Sequence, residues 1–374
     1  MSGARHLYVH LPFCSHRCGY CDFVTVVGKA DQHGSYVTAV LAEFELERGL
    51  LASELDTIYV GGGTPTFTEP ADLDRLLAAL PAAAEVTVEA NPETVTGKLA
   101  ALLSRNRVDR VSIGAQSFQP RLLEVLERLA GPDDVRRAVH RVRDAGFDNV
   151  SLDLVYGIPG QSAADLERDL AEALALEPEH LSCYELEAKP GTRFTHAHGA
   201  ELDRQAEAME GYFELVVEVL TGAGYRWYET ANFCLASERA AGRDLRARHN
   251  LGYWQGQDYL GLGVGAVSTI EGLRWRNAPS LGRYQAALAR GERPPREPEP
   301  LGLDVRQRER VLLGLRLDEP LALAGLEAAV DRPAAERLAS LGLVELRDGP
   351  DGEMLALTRR GRFLGGGVTV ELLA

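Results

Sequence analysis

The stretch that decides the fold is LYVHLPFCSHRCGYC, residues 7–21. It joins a short apolar run, residues 7–10, to three cysteines, Cys14, Cys18 and Cys21. The run has the length and composition of a buried β-strand, and the cysteines follow it directly. In parallel α/β folds the chemistry lies at the C-terminal ends of the strands. The stretch therefore predicts an α/β fold with a thiol site at the end of its first strand.

The chain continues as an alternation of strand-like and helix-like segments. Short runs rich in Val, Ile and Leu show no clean two-residue alternation, which is typical of strands buried on both faces. The strand-like runs are residues 7–10, 57–60, 85–90, 108–113, 150–155 and 180–185, and the helix-like segments are residues 35–51, 73–80, 98–104, 120–129, 132–145 and 163–176. Six repeats of strand and helix predict a parallel sheet.

Unusual residues follow five of these strands, and their positions favour one architecture. They are Cys14, the glycines at 61–63, Glu89, Gln116 and Asp153. An open doubly wound sheet has one switch point between two strands, whereas a barrel gathers many strand ends at one mouth. We therefore expect a partial (β/α)6 barrel over residues 1–225 rather than an open sheet.

The rest of the chain predicts an accessory region and a second domain. Residues 201–220 predict one long amphipathic helix, and residues 226–290 form an aromatic-rich accessory α+β region. Residues 291–300, rich in proline and charge, predict a linker. Residues 301–374 predict helices at 305–317, 324–329 and 334–341 and a hairpin of strands at 343–347 and 354–357. This order resembles a winged-helix domain.

Composition limits the partners and the location. The 374 residues carry 40 Lys and Arg against 55 Asp and Glu, a net charge of −15, so nucleic acid is not expected as a partner. No apolar run approaches the ~18 residues of a membrane-spanning helix, and the first residues do not read as a signal peptide. We therefore expect a cytoplasmic protein that is not an integral membrane protein. In the reducing cytosol, five cysteines are not expected to form disulfides.

The cysteine cluster has the spacing C-x3-C-x2-C. Thiolates are soft ligands that suit iron–sulfur clusters, zinc or Cu(I). Three thiolates fit three irons of a [4Fe–4S] cube and leave one iron open. A closed zinc site needs a fourth ligand, for which His10, His16 and Asp22 are near in sequence. Spacing alone leaves an iron–sulfur cluster, zinc and a chance group of free thiols as alternatives.

A resemblance to a known superfamily favours the iron–sulfur cluster over zinc and free thiols. C-x3-C-x2-C with Tyr20 before the last cysteine resembles the signature of the radical S-adenosylmethionine (SAM) superfamily. The resemblance implies a β/α barrel in which SAM binds the open iron and is cleaved reductively to a 5′-deoxyadenosyl radical. The ordered motifs at 7–14, GGGTPT at 61–66, EANP at 89–92, SIGAQSF at 112–118 and LDLVYGIPG at 152–160 are similar to the oxygen-independent coproporphyrinogen III oxidase family.

Three features are similar to the haem chaperone subfamily of that family rather than to the oxidases. The oxidases have a fourth cysteine where this chain has Phe23, and they have a longer segment before the cluster. The haem chaperones have the motif H-N-x-x-Y-W, which reads HNLGYW here from His249 to Trp254. The resemblance makes His249 a candidate axial ligand of haem iron. A histidine buried in the core and capped by Asn250 is the alternative.

The resemblance assigns the remaining site residues position by position. It implies that Cys14, Cys18 and Cys21 ligate the cluster, and that Arg128 with Gln116 and Asp153 holds a second SAM molecule in the oxidases. Val267 stands in another SAM-contacting segment, where the family commonly has a histidine. The residues implied to contact SAM are Tyr8, Tyr20, Gly62, Gly63, Thr64, Glu89, Gln116, Arg128, Asp153 and Val267.

Three functions remain open from the sequence. The first is a haem chaperone that binds a [4Fe–4S] cluster, SAM and haem and passes haem to an acceptor protein. The second is a coproporphyrinogen III oxidase that decarboxylates two propionates, which Phe23 disfavours. The third is a radical SAM methyltransferase or cyclopropanase. Whether the chain is an enzyme stays open, and an electron donor such as flavodoxin is implied only if SAM is cleaved.

Overall fold

Six parallel strands form the centre of the fold in the computed structural model, which describes residues 3–189, 193–350 and 352–374. The first eight strands are β1 (His6–Leu11), β2 (Phe13–Cys14), β3 (Val26–Val27), β4 (Leu55–Gly62), β5 (Ala83–Ala90), β6 (Arg110–Gln116), β7 (Val150–Tyr156) and β8 (His180–Glu185). Strands β1, β4, β5, β6, β7 and β8 pair parallel in that order. The predicted parallel α/β fold, a partial (β/α)6 barrel, is confirmed.

Helices connect consecutive strands and cover one face of the sheet. The first six are α1 (His33–Glu47), α2 (Pro70–Ala79), α3 (Gly97–Arg105), α4 (Pro120–Val125), α5 (Pro132–Asp144) and α6 (Ala163–Ala175). Pro120 and Pro132 stand in the first turns of α4 and α5, where a missing backbone N–H removes no hydrogen bond. Ser162 caps α6 by accepting a hydrogen bond from the Asp165 backbone N–H. Each helix overlaps its predicted segment.

The parallel strands alternate between apolar and polar side chains, contrary to the expectation of apolar runs without two-residue alternation. One row is apolar and packs against the helices, as Val111 and Ile113 do on β6. The other row is polar yet buried, as Arg110 and Ser112 are on the same strand. Side chains alternate across a strand, so the polar row lies on the face opposite the helices. The predicted burial on both faces is confirmed, but the predicted lack of alternation was wrong, because only one of the two buried faces is apolar.

The predicted long helix over residues 201–220 is two helices. They are α7 (Arg193–Gln205) and α8 (Met209–Gly222), separated by a 3-10 turn at Ala206–Ala208. Gln205 donates to the Ile158 and Gln161 carbonyls near the barrel mouth. Val216, in contrast, packs into the main core. The break lets the two segments pack against different parts of the barrel.

The accessory region extends the same sheet at both edges. Its elements are β9 (Tyr225–Glu229), β10 (Asn232–Leu235), α9 (Arg248–Trp254), β11 (Tyr259–Leu262), β12 (Val267–Ile270), β13 (Leu273–Asn277), α10 (Leu281–Ala289) and β14 (Arg296–Pro300). Strands β10 and β9 continue from β8, and β11 to β14 continue from β1. The linker predicted over 291–300 therefore contains a strand. Its prolines are tolerated because β14 is an edge strand.

The C-terminal residues have a core of their own. Their elements are α11 (Leu303–Gly314), β15 (Leu321–Ala322), α12 (Arg332–Ser340), β16 (Val344–Gly349), β17 (Gly352–Leu357), α13 (Arg359–Phe363) and α14 (Gly365–Glu371). In the described residues β15, β17 and β16 form a three-stranded sheet. The helix predicted over 324–329 is a 3-10 turn, Glu327–Ala329. The predicted domain boundaries at 225, 290 and 300 stay predictions. No helix in the described ranges is long and apolar enough to cross a membrane.

Candidate functional site

A cavity of about 530 Å³ opens at the C-terminal ends of the parallel strands. Eleven of the predicted site residues line it: Cys14, Cys18, Tyr20, Cys21, Gly62, Gly63, Thr64, Glu89, Gln116, Arg128 and Asp153. Their positions in sequence span 140 residues, from 14 to 153. The barrel therefore gathers at one mouth the residues that the resemblance assigns to the cluster and to SAM.

The cysteine loop is anchored at both ends. β2 pairs with β3, placing Phe13 beside Val26 and Cys14 beside Val27. The backbone N–H of Gly28 donates to the Cys14 carbonyl over 3.0 Å. Residues 15–25 therefore form a closed loop that holds Cys18 at the cavity.

Two of the cysteine sulfurs receive hydrogen bonds from cavity side chains. The Thr64 hydroxyl donates to Cys14 Sγ over 3.4 Å, and Arg128 Nη1 donates to Cys18 Sγ over 3.7 Å. Burial raises the pKa of the Cys14 thiol and that of Cys21. Hydrogen bonds to sulfur and limited solvent exposure are the means by which proteins tune iron–sulfur clusters. Three soft thiol donors at one cavity fit a [4Fe–4S] cluster with an open iron.

The glycine turn after β4 has a packing reason that is independent of any ligand. Gly62 has a φ of +116°, and a Cβ there would lie 2.6 Å from the His10 ring. A Cβ on Gly63 would lie 2.6 Å from the Pro12 carbonyl. Only glycine fits these positions. The turn places Thr64 where its hydroxyl reaches Cys14.

Glu89 is a buried carboxylate at the end of β5. It accepts hydrogen bonds from the Tyr59 hydroxyl over 2.7 Å and from the Gly62 backbone N–H over 3.0 Å. Burial raises the pKa of Glu89 to about 7. A carboxyl with this pKa changes charge near neutral pH and lies at the cavity wall. This position suits the binding of a hydroxyl or amino group of a ligand.

The cavity is also lined by Gln116, Arg128 and Asp153. Gln116 has a φ of +65°, at a bulge where β6 shifts register against β7. Arg128 Nη2 donates to Asn91 Oδ1 and to the Gly114 carbonyl. The Ser112 hydroxyl lies 3.2 Å from an Asp153 carboxylate oxygen, and burial raises the pKa of Asp153. The buried carboxylate that the sequence singled out is thus hydrogen-bonded and faces the cavity.

Three predicted residues lie outside the cavity lining. Tyr8 lies below the cavity, where its ring stacks on Tyr59. The Tyr8 hydroxyl oxygen lies 3.0 Å from His10 Nδ1. Val267 begins β12, and its carbonyl lies against Gly261. His249 lies in α9, the short helix that packs on β4. The structure therefore separates these three from the residues at the mouth.

His249 is buried, and both of its ring nitrogens are engaged. Its Nδ1 lies 2.7 Å from the Thr57 hydroxyl oxygen, and its Nε2 lies 2.8 Å from the Tyr253 hydroxyl oxygen. Its ring stacks on Tyr59 at 5.1 Å. Burial lowers the pKa of His249 to about 3. In this arrangement neither nitrogen is available to a haem iron.

The sequence pointed to only some of the cavity residues. Side chains that it missed are Tyr59, Arg110, Ser112, Ser182 and Tyr184. Each belongs to the polar row of a parallel strand. The signal was present as polar residues two apart at 110 and 112 and at 180, 182 and 184. Asn250, the second residue of the H-N-x-x-Y-W motif, also lines the cavity.

Comparisons with known proteins agree with this geometry. The family model of the radical SAM superfamily matches residues 8–173. The fold is similar to that of coproporphyrinogen III oxidase (HemN) from Escherichia coli, a radical SAM enzyme. The TM-score is 0.80 at 23% identity, covering 99% of this chain and 90% of that one. At this identity the likeness establishes the fold and not the activity.

Three curated relatives share one name. The chain is 38% identical to "Heme chaperone HemW" of Mycobacterium tuberculosis over 380 residues, covering 98% of this chain and 94% of the relative. It is 33% identical to the Bacillus subtilis protein of that name, covering 83% and 82%. For the Escherichia coli protein the identity is 37%, covering 71% and 70%.

Proposed function

Because this chain belongs to the haem chaperone HemW family within the radical SAM superfamily, we propose that it binds haem and transfers it to an acceptor protein. The observation that carries the proposal is the 38% identity to a named haem chaperone over 98% of the chain. Phe23 at the position of the fourth oxidase cysteine supports this function over coproporphyrinogen oxidation. Phe23 lines the cavity with 62% of its surface exposed.

The superfamily implies a [4Fe–4S] cluster and SAM, and the residues present fit both. Cys14, Cys18 and Cys21 would hold the cluster. With an electron from an external reductant, the bound cluster would supply reductive cleavage of SAM. Burial raises the pKa of the Cys14 thiol, so the thiol is protonated at neutral pH. Because a metal ligand must be a thiolate, Cys14 would release this proton when metal binds. Thr64 and Arg128, which donate to two of the sulfurs, then stabilise the negative charge on the thiolates.

The cavity walls would hold SAM beside those cysteines. We infer that Glu89, in its ionised form, binds the ammonium or ribose of SAM, since it lies at the wall next to the glycine turn. Arg128 is held in place by Asn91 and Gly114 and would bind a carboxylate. Asp153, oriented by Ser112, would accept hydrogen bonds from a second polar ligand.

We also propose that the protein acts in the cytoplasm. All five cysteines are free in the structure, as we expect of a cytoplasmic protein. A reductant such as flavodoxin is required only if SAM is cleaved. The acceptor is a protein that takes up haem.

The test is a haem titration of the anaerobically reconstituted protein followed by absorption. We expect a saturable Soret band at about one haem per chain. The Cys14→Ala/Cys18→Ala/Cys21→Ala variant should lose the cluster, measured as bound iron and sulfide. Cys183→Ala is the matched control, because Cys183 is buried in the apolar row of β8. A wild-type protein that shows no saturable haem binding would overturn the proposal.

A further inference from the structure

A second cavity of about 680 Å³ lies on the other side of α9 from the cysteines. Its walls are α9, the start of β11, β12 and the C-terminal helix α11. The H-N-x-x-Y-W motif borders both cavities, because Asn250 lines the first while Tyr253 and Trp254 line the second. The volume is in the range of small-molecule and cofactor sites.

Two walls of this second cavity are apolar. One wall is aromatic, with Tyr253 edge-on to Tyr259 at 4.6 Å and Trp254 beside them. The other wall carries leucines of α11, among them Leu303, which is 68% exposed. A solvent-open cleft with aromatic and leucine walls suits a flat apolar ligand.

The second cavity also contains two arginines that form no ion pair among the described residues. Arg306 and Arg310 are one turn apart on α11 and both line it. Among the described residues, neither has a carboxylate within ion-pair distance. Arg310 Nη1 donates to the Trp254 carbonyl over 3.3 Å, and burial lowers the pKa of Arg310. By contrast, Arg274 in the same cavity is neutralised by Glu309, at 2.6 Å.

The other polar groups of the cavity are accounted for, with one exception. Asp258 accepts a hydrogen bond from the Glu271 backbone N–H over 2.9 Å. The Trp254 Nε1–H is buried and has no acceptor among the described residues. That nitrogen is shielded from the open cavity and is not a contact for a ligand there.

We propose that this second cavity is the haem site. The porphyrin ring would lie between the aromatic wall and the leucines, and Arg306 and Arg310 would bind its two propionates. The inference rests on the proposed haem function. The first cavity is lined by the cysteines and the residues expected to hold SAM, and His249 has both nitrogens engaged. The second cavity combines an apolar cleft with two arginines that form no ion pair among the described residues, for a ligand that has two carboxylates.

The arrangement gives the H-N-x-x-Y-W motif a positioning role. Tyr253, a wall of the second cavity, is hydrogen-bonded to His249. His249 stacks on Tyr59, whose hydroxyl donates to Glu89 at the first cavity. The motif therefore connects a haem site to the cluster and SAM site through packed side chains.

The experiment measures binding of haem and of iron-free protoporphyrin IX to the cluster-loaded protein by absorption and fluorescence. We expect Arg306→Ala and Arg310→Ala each to weaken both ligands about tenfold, as for the loss of one charge-assisted contact. Arg308→Ala, on the same helix and outside the cavity lining, is the matched control. Cluster absorption and thermal unfolding confirm that the variants are folded. Protoporphyrin IX dimethyl ester should bind wild type about as weakly as the arginine variants bind the free acid.

The possible results separate failure of the proposed haem function from failure of the proposed haem site. Wild-type protein without saturable haem binding overturns the proposed function. Saturable wild-type binding with unchanged affinity in the Arg306→Ala/Arg310→Ala double variant leaves the function standing and overturns this site. Equal wild-type affinity for the free acid and the ester overturns the role of the arginines.

Discussion

His249 Nε2 lies 2.8 Å from the Tyr253 hydroxyl oxygen, and the two side chains are one turn apart on α9. The same imidazole holds the Thr57 hydroxyl of β4 through Nδ1. These contacts fix α9 against the polar row of the barrel. Asn250 consequently faces the cysteine cavity, while Tyr253 forms part of the second cavity. The histidine of the motif thus positions the helix that separates the two cavities.

Replacement of His249 should therefore reduce stability more than it alters the haem spectrum. His249→Ala removes the imidazole partner of the Tyr253 hydroxyl and one of the two imidazoles at the Thr57 hydroxyl, which also lies 2.8 Å from His6 Nδ1. With the buried space left by the ring, this costs about 2–4 kcal/mol of unfolding free energy. Urea unfolding measures this loss, with His140→Ala on the exposed face of α5 as the control. Unchanged stability together with a shifted Soret maximum would instead make His249 an iron ligand.

The same residue predicts a pH dependence of stability. Burial lowers the pKa of His249 to about 3, whereas an unfolded histidine titrates near 6.5. Between these pH values the unfolded chain binds a proton that the folded chain does not, so stability falls as pH decreases from about 6.5 toward 3. The difference in unfolding free energy between wild type and His249→Gln should shrink over this range. A difference in unfolding free energy that is constant with pH would contradict the lowered pKa of His249.

The barrel could be predicted because its signals are local. Residues 180–185 were expected as a strand and form β8 over the same range, and Asp153 stood out as a carboxylate inside an apolar strand. The same strands also carried the polar alternation that was overlooked. Arg110 and Ser112 could have been expected to line the site, since two polar residues two apart share one face.

The features that the sequence did not predict depend on contacts between distant parts of the chain. His249 is held by Thr57, which is 192 residues away, so no local pattern reveals that both ring nitrogens are engaged. Gly62 is a predicted SAM contact, and only the fold shows a second reason for glycine there, its positive φ beside the His10 ring. The predicted helix over 201–220 breaks because Gln205 bonds to the loop after β7.

Removing the Thr64 hydroxyl should lower the reduction potential of the reconstituted cluster. Thr64 donates to Cys14 Sγ, and a hydrogen bond to sulfur stabilises the more negative, reduced cluster. Loss of about 1 kcal/mol corresponds to about 40 mV for one electron, so Thr64→Val should shift the potential negative by roughly that amount. Redox titration followed by electron paramagnetic resonance measures the shift.

A matched control separates this effect from general disturbance of the turn. Thr68 is buried four residues further on and lies outside the cavity lining. Thr68→Val should leave the potential unchanged. Equal shifts in both variants would mean that the Thr64 hydroxyl has no specific effect on the cluster.

Restoring a cysteine at position 23 should not produce an oxidase. Phe23 lines the cavity, but Cys14, Cys18 and Cys21 already supply the three thiols that the cluster needs. Phe23→Cys should keep about four irons per chain and form no vinyl product from coproporphyrinogen III with SAM and a reductant. Chromatography of the porphyrin products measures this. Vinyl formation by wild type or by the variant would support the oxidase alternative.

SAM affinity should increase with pH through the pKa of Glu89. Burial raises that pKa to about 7, so the carboxyl is mostly neutral at pH 6 and mostly ionised at pH 8. The ionised form attracts the permanent positive charge of SAM, and we expect wild type to bind SAM up to about tenfold more tightly at pH 8. Glu89→Gln removes the charge and should bind SAM weakly at both pH values. Glu85→Gln, on the same face of β5 but outside the cavity lining, should retain the wild-type dependence, as calorimetry at the two pH values will determine. A dependence that survives in Glu89→Gln would assign the titration to another group of the cavity.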